Sequence, residues 1–154
     1  MCPFEVREGK HGDLLTPGVA LLAPGDFHMT VKWSGGAYRV ELNQNAPVHH
    51  CRPAVDVMFR SVSECVGAKV VSVILTGMGV DGAMGMKLLK GVGSKTIAQN
   101  EETCVVYGMP RAAVEMGVVD KVLPLKSIAG AIVDGVQAMS GGAVSGISAI
   151  RPKG

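Results

Sequence analysis

The stretch VVSVILTGMGVDGAMGMKLL, residues 70–89, decides the fold class. It opens with a β-branched apolar run, Val70–Leu75, whose length fits a buried strand. A glycine-studded loop follows at Gly77–Gly82, and AMGMKLLKGV then has the composition of a helix that ends near Gly91 and Gly93. A buried strand that runs through a glycine loop into a helix is the first half of a βαβ unit, the building block of parallel sheets.

Working outward, the alternation continues. Downstream, SKTIAQ reads as a strand, MPRAAVEMG as a short helix with Pro110 in its first turn and Gly117 behind it, VVDKVLP as a strand, and LKSIAGAIVDGVQAM as an amphipathic helix. Upstream, Val55, Met58, Phe59, Val62 and Val66 recur at helical spacing, with Pro53 beginning that helix and Gly67 stopping it. Before it, NQNAPVHHCRP is a loop, and FHMTVKW and YRVEL flank SGGA as a β-hairpin. Val19–Ala23 reads as a buried strand framed by Pro-Gly pairs, and PFEVREG as a short strand. The expected fold is therefore α/β: a doubly wound, mostly parallel sheet with an attached β-hairpin over residues 1–139, then a flexible Gly/Ser-rich tail over 140–154.

Composition narrows the function classes. A chain of 154 residues with 47% apolar content supports one packed domain, and 4% aromatic content makes its core aliphatic. A net charge of +2 without a dense basic run gives no footprint for nucleic acid. Cys2, Cys51, Cys65 and Cys104 form no C-x-x-C and match no zinc spacing, so reduced thiols are expected. No signal-peptide pattern is visible, and no apolar run reaches the roughly 18 residues of a spanning helix. The expectation is a soluble cytoplasmic protein with no cofactor, no metal and no membrane insertion.

The loop Gly77-Met78-Gly79-Val80-Asp81-Gly82 admits three readings. It matches G-x-G-x-x-G, with Asn100-Glu101-Glu102 where a ribose-binding acid would fall, and so could cradle a dinucleotide. Asp81 opposes this, because two like charges about 4 Å apart repel by about 4 kcal/mol at an effective dielectric near 20. Asp81 could instead cap the helix that follows it. It could also present a carboxylate at the strand ends to orient a histidine. Elsewhere, His49-His50-Cys51 reads as a surface loop, since adjacent residues rarely share one ion. Arg52 is a candidate substrate contact, weighed against a salt bridge to Asp56 one helical turn on.

The blocks LAPGDFHM, PVHHCRPAVDVMFRSVSECVG and VILTGMGVDGAMGMKLLKGVGSKTIAQNEETCVVYGMPRAAVEMGVVDKVLPL, in that order, resemble the catalytic domain of the chemotaxis protein-glutamate methylesterases, the CheB family. The resemblance covers residues 4–139. It implies an α/β domain with a Ser-His-Asp triad that hydrolyses glutamyl methyl esters, and in some members deamidates glutamines, on methyl-accepting chemotaxis receptors. It places the triad acid at Asp81 and puts Met78 and Gly79 beside the oxyanion. The family's serine, in a G-x-S-x-G-G-type loop, and its histidine, in an H-M-P segment, both precede EVREG, as does a phosphorylatable receiver domain. The resemblance therefore implies a partial domain, missing the family's N-terminal strands. It also implies a chain inactive alone, with the serine and histidine supplied by another segment or the chain acting as a receptor-binding remnant.

Overall fold

A computed structural model describes residues 4–65 and 67–141. The strand read from 70–75 is β5, Val71–Ile74, and it leads through the glycine loop into α2, Ala83–Gly91. β6 (Lys95–Gln99) and β7 (Lys121–Leu123) complete a parallel three-stranded sheet in the order β5-β6-β7. Helices α1 (Val55–Ser63) and α3 (Met109–Glu115) join α2 on one face, while α4 (Leu125–Met139) covers the other.

Alternation within the strands builds these two layers. Ile74 packs with Phe59, Met86, Leu89 and Ala113 in the core beneath α1–α3. Val71, Val73 and Ile97 point the other way, onto Ile128 and Ala131 of α4. The order of strand and helix, and both helical faces, follow the expectation from sequence. β5 is less buried than its composition suggests: Ser72 and Ile74 are buried, but Val71 and Val73 are half-exposed because β5 lies at the edge of the sheet.

The N-terminal third adds two smaller sheets. β1 (Glu5–Glu8) and β2 (Val19–Leu22) pair in parallel, and β3 (His28–Ser34) and β4 (Ala37–Asn43) form the expected hairpin. Its turn uses Gly35 and Gly36 at φ 61 and 79, a conformation that glycine adopts without strain. The hairpin seats on α1, where Ser61 Oγ accepts the N–H of Val31 at 2.9 Å. Two expectations need correction here. β2 is not fully buried, since Val19, Ala20 and Leu21 are only partly buried and Leu22 is exposed. Pro53 lies outside α1, which begins at Val55 behind an extended Ala54. The proposed tail falls almost wholly beyond residue 141, outside the described residues. Among the described residues no helix is long and apolar enough to cross a membrane.

Candidate active site at the glycine loop

Asp81 turns away from the helix that follows it. Its Oδ2 accepts the N–H of Val55 at 2.7 Å, and its Oδ1 accepts the N–H of Asp56 at 2.9 Å. These are first-turn donors of α1, which has no cap of its own because Ala54 carries no side-chain acceptor. The carboxylate therefore caps α1 from across the structure, where the helix dipole favours negative charge. The expectation that Asp81 caps its own helix is corrected: Gly82, at φ 90, holds the N-cap of α2, and the side chain that accepts from the helix's first turn is that of Asp56.

The glycines of the loop serve close packing. A Cβ on Gly82 would lie 2.9 Å from Val55 Cγ1, and one on Gly77 would collide with Met109. A Cβ on Gly108 would lie 2.7 Å from the carbonyl oxygen of Gly77. That clearance lets segment 105–109 zip onto the loop. Gly77 donates to Val106 O at 3.0 Å, and Gly77 O accepts from Gly108 and Met109 at 3.1 and 2.8 Å. Thr76 adds Oγ1 to Val106 on both sides, at 3.1 Å as donor and 2.9 Å as acceptor. At the start of α2, the N–H of Ala83 bonds Val80 O and that of Gly85 bonds Asp56 Oδ1 at 2.6 Å. Two donors at the start of α2, where a dinucleotide's phosphate would be expected, are thus engaged within the chain. Asn100, in the segment expected to hold a ribose, caps a short 3-10 turn at Glu101–Thr103 through Thr103 instead.

Met78 is 85% exposed at the tip of the loop. With Gly79, Tyr107, Gly108 and Arg111 it lines an open concavity of 410 Å³ at the C-terminal end of the parallel strands. That end is where ligand crevices form in open α/β sheets.

Arg52 does not join Asp56. Its guanidinium pairs with Asp26 through Nε at 3.1 Å and donates to the carbonyls of Gln44 and Asn45 at 3.0 and 3.1 Å. The Arg52 guanidinium holds the Asp26 carboxyl below its ordinary range. Asp56 is taken by His49, whose Nε2 lies 2.7 Å from Oδ2. His49 and His50 sit at φ 52 and 62 in a tight turn closed by mutual hydrogen bonds between Val48 and Cys51. The surface-loop expectation for 49–51 holds, and all three residues are exposed. Sequence reasoning missed that the turn folds His49 back to Asp56 and Asp81, whose ligating atoms all lie within 4.8 Å of one another. The signal was faint: an Asp at the second position of a helix whose N-cap is alanine.

The arrangement therefore presents a buried carboxylate locked in one orientation by two N–H donors, on the same loop as Met78, Gly79 and Val80 of the strand-end concavity. An acid that steadies an imidazole in a hydrolytic triad needs that fixed orientation.

Known proteins share this sequence and this fold. The family model described as CheB methylesterase matches residues 1–132. The protein-glutamate methylesterase/protein-glutamine glutaminase of Bdellovibrio bacteriovorus is 52% identical over 137 residues, covering 89% of this chain and 39% of that protein. The Pseudomonas aeruginosa protein-glutamate methylesterase/protein-glutamine glutaminase 2 is 53% identical over 129 residues, covering 84% and 37%. The crystal structure of the Thermotoga maritima CheB methylesterase catalytic domain superposes with a TM-score of 0.80 at 38% identity, covering 83% of this chain and 68% of that one. The chain thus spans less than two fifths of the length of these curated relatives.

Proposed function

Because this chain belongs to the CheB methylesterase family, we propose that it forms the acid-bearing part of a protein-glutamate methylesterase. The reaction is hydrolysis of glutamyl γ-methyl esters to glutamate and methanol, with glutamine deamidation as the related reaction. The substrates are methyl-accepting chemotaxis receptors.

The observation that carries this reading is the double N–H clamp on Asp81 at the mouth of the sheet. In the proposed mechanism a serine attacks the ester carbonyl, a histidine takes its proton and passes it to the departing methoxide to release methanol, water activated by the same histidine hydrolyses the acyl-serine to glutamate, and Asp81 orients that histidine. The backbone N–H groups of Met78 and Gly79 donate to no partner among the described residues. They are the donors proposed to meet the developing oxyanion. The 154 residues contain neither a G-x-S-x-G-G loop nor an H-M-P segment. The serine and histidine are therefore proposed to come from another segment, and these residues alone to hydrolyse methyl esters at no more than a residual rate.

A chimera tests the proposal. Residues 4–139 replace the corresponding stretch of the Thermotoga catalytic domain, and methanol release from methylated receptor is measured. The chimera is expected to be active, and Asp81→Ala to lower its rate by about 10⁴-fold. A loss of less than tenfold would remove Asp81 from the triad. Normal turnover by the 154 residues alone would overturn the division of labour.

A further inference from the structure

We propose that Arg111 is the residue through which this site reads a carboxylate on the substrate protein next to the ester being cut. The inference rests on the methylesterase reading above and deepens it.

Arg111 lines the same concavity as Met78 and Gly79, the residues proposed to face the reacting carbonyl. Its guanidinium is held only loosely. Among the described residues its one ionic partner is Glu115, at 3.8 Å, with both side chains more than half exposed. Exposed pairs of this kind contribute little, so a better-placed carboxylate can displace Glu115. Arg111 also sits in the first turn of α3, beside the positive end of the helix dipole, where no acidic residue offsets it. A cation placed against its helix dipole, without a firm partner, on the wall of the proposed reaction crevice, is a local conflict that packing does not explain. Beside Arg111 and Glu115 the wall carries Met78, Val80 and Val106, apolar and exposed, which suit the neutral methyl ester.

Charge complementarity names the occupant. Hydrolysis turns a neutral ester into a carboxylate, so a substrate with several such glutamates grows more anionic as it is processed. A planar guanidinium engages a carboxylate through two parallel N–H···O bonds, which a lysine cannot copy. Arg111 would then favour esters flanked by glutamates that are already free.

The experiment measures binding of the full chain to two synthetic peptides at low ionic strength. Each carries one glutamate γ-methyl ester, flanked in one peptide by glutamates and in the other by glutamines. Wild type is expected to bind the glutamate-flanked peptide about five- to tenfold more tightly. Arg111→Gln should erase that preference, Arg111→Lys should restore part of it, and Glu115→Gln should enlarge it by removing the internal competitor. Both positions are exposed, so thermal melting should be unchanged. Equal binding of the two peptides by wild type, or a full preference in Arg111→Gln, overturns the role of Arg111 and leaves the methylesterase reading standing. Binding of neither peptide overturns the role of Arg111, while methanol release by the chimera decides the methylesterase reading separately.

Discussion

Asp81 has a structural duty beside the catalytic one proposed for it, and the two can be separated. Its structural duty is to satisfy two helix-start donors, Val55 and Asp56, which are otherwise uncapped. Asp81→Ala should therefore destabilise the chain by about 1–3 kcal/mol in chemical denaturation. Asp81→Asn keeps one amide oxygen for one of the two donors and should lose about half as much. Equal stability of both variants and wild type would show that solvent caps α1 as well as the carboxylate does. The sequence made Asp81 conspicuous, because an acid inside a glycine loop at a strand end has few uses. Its partners were not legible, since a carboxylate reveals its own capacity to accept but not which distant N–H groups converge on it. Arg52 shows the same limit: local spacing pointed to Asp56, whereas the chain reverses and brings Asp26 within reach.

At the scale of elements, α1 and α2 meet at a glycine. A Cβ on Gly85 would lie 2.5 Å from Phe59 Cβ and 3.2 Å from Asp56 Cα. In an open helix Gly→Ala stabilises by up to about 1 kcal/mol. Here the sign reverses, and Gly85→Ala should cost about 1–3 kcal/mol as the two helices are forced apart. A higher melting temperature for Gly85→Ala would contradict the observed crossing. The helices and parallel strands were readable because their periods of 3.6 and 2 are local properties of the chain. α4 was placed at 125–139 by its amphipathic pattern, and the structure agrees. The exposure of β2 and β5 was not readable. Whether an apolar strand is covered depends on its neighbours, and its own residues are the same either way.

The whole molecule is unevenly bound together. β6 is central, with four of its five residues buried, while no residue of β1 is buried. The β1–β2 layer is joined to the hairpin by backbone bonds such as Gly12 to Val40 O and Val40 to Asp13 O. Between it and α1 runs an open apolar groove of 550 Å³ lined by Val19, Leu21, Met29, Val31 and Met58. In native-state hydrogen exchange, amides of β1 and β2 should therefore exchange through local opening, and those of β6 only on global unfolding. Equal protection in the two regions would mean that the groove is not a weak seam. α1 bridges these regions: Asp81 grips its first turn, and near its last turn Ser61 receives Val31 of the hairpin. Nine helical residues make a stiff strut about 13 Å long. A load applied to the exposed ribbon would reach, through this strut, the one carboxylate proposed above to steady the catalytic imidazole.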